Sequence, residues 1–74
     1  MAYAVQVMVV DRRTGKGLSG QRVKAYGGPE VKTNSSGLAT VIVSSSAVDV
    51  YVNGMRAYNG SVSAAPKPII YERG

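Results

Sequence analysis

Four carboxylates, nine basic side chains and five tyrosines are the groups in this 74-residue chain best suited to do chemistry. There is no histidine and no cysteine. Imidazole acid–base catalysis, thiol nucleophiles, Ser-His-Asp triads, disulfides and Cys/His zinc sites are excluded by those two absences. The carboxylates are Asp11, Glu30, Asp49 and Glu72, each isolated in the chain. Two-carboxylate hydrolysis needs a pair held at a fixed separation. Calcium needs several oxygen ligands in one short loop. Asp11 and Asn34-Ser35-Ser36 do not form such a loop, so no metal, no cofactor and no enzymatic activity are expected.

The basic residues are Arg12, Arg13, Lys16, Arg22, Lys24, Lys32, Arg56, Lys67 and Arg73, and the formal net charge is +5. Only Arg12 and Arg13 are adjacent, so the charge reads first as a solvated surface. Tyr26 is two residues beyond Lys24 and four beyond Arg22. In an extended strand all three share a face, an arrangement that can stack and neutralise single-stranded nucleic acid or another anion. That is the alternative reading; a protein partner is favoured over nucleic acid.

The elements that must position these residues are strands. Tyr3, Val5, Val7 and Val9 alternate with Ala4, Gln6, Met8 and Val10, so the first strand is apolar on both faces apart from Gln6. It is expected to be central, or covered on both sides. Asp11 to Gly20 reads as a loop, with Thr14-Gly15-Lys16-Gly17 turning it, Leu18 returning to the core and Gly20 expected to permit close backbone passage. Gln21 to Tyr26 is the second strand, Val23 and Ala25 inward, ended by Gly27-Gly28-Pro29. Glu30 to Thr33 is short. Asn34-Ser35-Ser36-Gly37 is a turn. Leu38 to Val43 places Ala39, Val41 and Val43 on one face and Leu38, Thr40 and Ile42 on the other.

Ala47 to Val52 has the cleanest alternation, Val48, Val50 and Val52 inward, Asp49 and Tyr51 outward. Asn53-Gly54 follows as a type I′ hairpin turn, and the chain returns through Met55 to Tyr58. Asn59-Gly60 signals a further turn. Pro66-Lys67-Pro68 favours extended backbone that cannot sit mid-sheet. Ile69-Ile70-Tyr71 is expected as an edge strand. The total is about six to eight short strands in one all-β domain spanning residues 1–74, a small antiparallel β-sandwich. No stretch approaches the ~20 apolar residues of a membrane-spanning helix, and no signal-peptide pattern opens the chain.

The order of motifs resembles the carboxypeptidase regulatory-like domain, one of the transthyretin-like (prealbumin-like) sandwiches. It is carried by Val9-Val10-Asp11, Thr14-Gly15, Leu18-Ser19-Gly20, Val23-Lys24-Ala25, Thr33-Asn34-Ser35-Ser36-Gly37 and Val48-Asp49-Val50-Tyr51-Val52. It covers roughly residues 3–60. Gly17, Gln21 and Ala39 depart from it, standing where proline, a small apolar residue and a large core residue are usual. Ala39 leaves core volume for Tyr3, Tyr51 or Tyr58 to fill. The resemblance implies a transthyretin-like or immunoglobulin-like Greek key without catalytic activity. It also implies an accessory module of a larger extracellular or surface protein. A native start at Met1 implies instead an intracellular chain, such as a small bacterial or phage assembly protein.

Two sets of binding residues follow. Arg12, Arg13, Lys16, Arg22, Lys24, Tyr26, Asn34 and Asn53 lie on loops, turns and the basic face from which a rigid scaffold presents side chains. Met8, Val10, Leu38 and Ile42 fall on a second apolar face. Together with Ile69 and Ile70 they either complete the core or mark a contact surface. A chain of this size buries only ~60% of its unfolded surface. Self-association, a homodimer first of all, is therefore the expected remedy.

Overall fold

A computed structural model describes residues 2–73, and Met1 and Gly74 lie outside it. The strands are β1 (Tyr3–Asp11), β2 (Arg22–Ala25), β3 (Glu30–Lys32), β4 (Leu38–Val43), β5 (Ala47–Val52), β6 (Met55–Ser61) and β7 (Ile69–Arg73). They form a three-stranded sheet, β4-β1-β7, and a four-stranded sheet, β3-β2-β5-β6. The described residues are all-β, with the architecture of a small sandwich. β4 and β5 have the bounds read from their alternation.

Valine fills the space between the sheets. The largest fully buried side chains are Val7, Val9, Val23, Val50 and Val52. β-Branched side chains are stiff at χ1 and pack well on a pleated surface, so this thin core loses little rotamer freedom on folding. Val5, Ala39, Val41, Val48 and Ile69 join them. Ala39 is buried, and Tyr58 and Tyr71 pack against the cluster. Tyr3 and Tyr51 are half-buried outside it.

Three expectations are corrected. The sandwich is not wholly antiparallel: β7 runs parallel to β1, Val7 opposite Ile69 and Asp11 opposite Arg73. After β6 the chain crosses between sheets through residues 62–68 and enters β7 from the same end at which β1 begins. Asn59 and Gly60 do not turn but continue β6, opposite Asp49 and Val48. The Asn59 side-chain amide donates to the Asp49 carboxylate across that pair, and the chain turns beyond it at Val62–Ala65, where the Ala65 N–H donates to the Val62 carbonyl. Gly20 is not a site of close passage. It takes φ +71° with nothing near its missing Cβ.

The close passage is at Gly17. A Cβ there would lie 1.9 Å from the Ser36 carbonyl oxygen, and one on Gly37 would lie 2.7 Å from the Gly17 Cα. Thr33, the buried polar residue beside this crossing, secures it. Its hydroxyl donates to the Leu18 carbonyl at 2.5 Å and accepts from the Gln21 N–H at 2.9 Å. The Thr33 N–H donates to the Gln21 carbonyl and the Gly20 N–H to the Thr33 carbonyl. One residue thus ties the first loop to the edge of the four-stranded sheet.

Thr33→Val keeps the branched shape but leaves the Leu18 carbonyl and Gln21 N–H without that partner. It should cost about 1–3 kcal/mol, read as a lower urea midpoint at unchanged slope. Gly17→Ala should cost more than Gly15→Ala. The first drives a methyl group into backbone, whereas the second meets open space and only strains φ +73°, a penalty of about 1 kcal/mol. Parallel urea titrations of the two variants compare them.

Candidate functional site

The outer face of the four-stranded sheet gathers the basic residues of β2. Register places Arg22 opposite Lys32, Lys24 opposite Glu30 on one side and opposite Tyr51 on the other. Tyr51 pairs onward with Arg56, past a register shift that makes Ala57 an extra residue. Arg22, Lys24, Lys32 and Arg56 are exposed, and Tyr51 is half-buried among them. A depression of about 310 Å³ is lined by Arg22, Lys24, Tyr26, Glu30, Tyr51 and Gly54. The expected trio of Arg22, Lys24 and Tyr26 is therefore brought together, with Tyr26 at 80% exposure. Lys32 and Arg56 are additions. Alternation carried the signal for Lys32, but the bulge at Ala57 hid Arg56.

Asn34 and Asn53 are spent inside the fold. The Asn34 carboxamide oxygen accepts from Ser36 and Leu38 N–H at 2.9 and 3.0 Å, closing the β3–β4 turn. Asn53 sits at φ 50° and Gly54 at φ +85°, the doubly positive pair a two-residue hairpin needs. The Asn53 oxygen accepts from the Arg22 N–H at 3.0 Å, and its amide donates to the Gln21 side chain at 2.9 Å. Arg73 donates to the same Gln21 oxygen at 2.6 Å. Both asparagines thus act as turn formers, because their acceptors are already engaged by backbone. Arg12, Arg13 and Lys16 are exposed on the first loop. That loop is set by the Asp11 carboxylate, which accepts from the Arg13 and Thr14 N–H groups.

The outer face of the three-stranded sheet carries aliphatic side chains around a polar Gln6–Thr40 pair, with Lys67 beside Gln6 and Glu72 opposite Val10. Met8 lies between Leu38 and Ile70, Thr40 beside Gln6, and Ile42 beside Ala4. Met8 and Leu38 are half-buried, while Ile42 and Ile70 are 60% and 52% exposed. Two residues expected with them belong elsewhere. Ile69 is in the core, because its place opposite Val7 turns it inward. Val10 is buried where the first loop folds back on β1 and Gly17 bridges to it.

A cleft of about 630 Å³ opens beside this face, between Ile42–Val43 and the Tyr26–Pro29 turn, with Asp49 its one charged lining residue. Among the described residues no three metal-ligating side chains come together, and no helix is long and apolar enough to cross a membrane. No family model, no curated protein and no solved structure matches the chain.

Asn53→Ala should lower stability by about 1–3 kcal/mol, since it frees the Arg22 N–H and puts alanine at positive φ. Asn53→Gly should lose less, the turn geometry being easy for glycine. Thermal unfolding of both variants checks the order.

Proposed function

We propose that this chain is a non-catalytic structural or protein-interaction module that associates with its own copies through the three-stranded sheet. The observation carrying this reading is the uncovered row Leu38–Met8–Ile70 with Ile42 beside it. A sheet face turned to water ordinarily carries polar side chains, and this one exposes two isoleucines on a small, thin-cored domain. The motif order that resembles the carboxypeptidase regulatory-like and transthyretin-like sandwiches supports an accessory role, since it rests on strand and turn residues rather than reactive ones.

A second reading is favoured by the depression on the opposite sheet, where Arg22, Lys24, Tyr26 and Tyr51 converge. There the ligand would be an anionic polymer, single-stranded nucleic acid in the first instance, held by charge and by stacking on tyrosine.

Sedimentation equilibrium separates the two. The favoured reading gives a mass above 7.7 kDa that grows with protein concentration and with added salt, because salt screens the repulsion between +5 chains. A monomer at every concentration, with a labelled oligonucleotide bound tightly at low salt and released steeply as salt rises, would replace it with the second.

A further inference from the structure

The sandwich has four sheet edges, and three are blocked. β3 is three residues long and carries Glu30 and Lys32. β6 contains the extra residue Ala57, with Arg56 beside it. β7 is entered from Pro68 and ends on Glu72 and Arg73. Short length, charge, proline and bulges are the devices that keep edges from pairing with another chain. β4, Leu-Ala-Thr-Val-Ile-Val, has none of them. From Thr33 to Val48 the chain carries no charged residue, and all nine basic residues lie outside that stretch.

The hydrogen-bond phase of β4 shows which groups it offers. The Val9 N–H donates to the Gly37 carbonyl at 2.8 Å, and Val7 is opposite Ala39. In an antiparallel ladder bonded residues alternate, so Ala39, Val41 and Val43 bond inward to β1. Leu38, Thr40 and Ile42 point their N–H and C=O groups outward. Asn34 consumes both groups of Leu38, its N–H donating to the Leu38 carbonyl and its side chain accepting from the Leu38 N–H. Thr40 and Ile42 remain, both exposed, on a strand that pairs with β1 alone among the described residues.

We infer that a second copy of the chain pairs antiparallel along β4, about a two-fold axis at Val41. This deepens the self-association reading and rests on it. Thr40 then meets Ile42 of the other copy, and each pair exchanges two backbone hydrogen bonds. The pattern is self-complementary, as an isologous dimer requires. Two positively charged chains meet along the one edge where neither carries charge. The sheets join as β7-β1-β4-β4-β1-β7, and the exposed Ile42 side chains come to lie over the junction.

Thr40→Pro is the sharpest test. The Thr40 N–H points away from β1, so proline removes an intermolecular donor and no internal bond. Sedimentation equilibrium should show the dimer dissociation constant raised about tenfold or more by Thr40→Pro and also by Ile42→Lys, with the circular dichroism of the monomer unchanged. Ile70→Lys, on the same face but two strands from the edge, should leave the dimer intact. A wild-type dimer that survives Thr40→Pro but not Ile70→Lys would overturn edge pairing in favour of face stacking, with self-association still standing. A wild-type monomer would remove both. Amide exchange of the wild-type chain covers the case in which a variant fails to fold. Thr40 and Ile42 should become protected only as concentration rises, and equal exchange of the two amides in monomer and dimer would sink the proposal.

Discussion

The backbone of the first loop lies directly on the backbone of the β3–β4 turn, Gly17 against Ser36 and Gly37. The segments can come this close because Gly17 and Gly37 carry no Cβ at the point of contact, where the Ser36 carbonyl oxygen faces Gly17. The crossing brings the Leu18 carbonyl within reach of the Thr33 hydroxyl and lets Leu18 pack against the core. It also holds the end of β1, because the Leu18 N–H donates to the Val9 carbonyl and the Val9 N–H to the Gly37 carbonyl. The position of β1 between β4 and β7 follows, and with it the alignment of the two sheets around their valines. Disulfides or structural metals do this work in other small domains. Here backbone packed on backbone and one buried hydroxyl do it.

With that frame in place the two outer faces differ sharply. Cations and tyrosines cover the four-stranded sheet, while Met8, Leu38, Ile42 and Ile70 give the three-stranded sheet a largely aliphatic outer face. Alternation sets most of this contrast, because β1, β2, β4 and β5 turn their valines and alanines inward, and the bulge at Ala57 adds Arg56 to the basic side. The two outer faces therefore differ in kind, with cations and tyrosine rings on one side and aliphatic side chains beside an uncharged edge strand on the other.

Much of this was legible in the residues. The bounds of β4 and β5, the Asn53-Gly54 hairpin and the inward valines follow from a period of two and from turn chemistry, which are local. Asn59-Gly60 misled for a physical reason: the same pair that favours a turn can continue a strand when Asn59 has Asp49 to bond. The parallel pairing of β7 was not legible, because nothing within Ile69–Arg73 states its direction. Ile69 and Ile70 were grouped as one patch, yet adjacent strand residues point to opposite faces, and only the register with Val7 and Met8 decides which goes in. Asn34 and Asn53 looked available because polar turn residues commonly are. Their acceptors turned out to be committed to N–H groups two to thirty-one positions away.

The pairing of β1 with β7 joins residues near the two ends of the described chain, Asp11 beside Arg73. The four-stranded sheet is built from neighbours, with β2 beside β3 and β5 beside β6. Loop-closure entropy therefore sets an order of assembly. The hairpins form early from local contacts, whereas the three-stranded sheet must wait for its last strand to arrive from the far end. Until it does, the backbone N–H and C=O groups of β1 stand unpaired on the β7 side as well. The interval before β7 docks is when a nascent or unfolding chain is most exposed to pairing with the wrong partner.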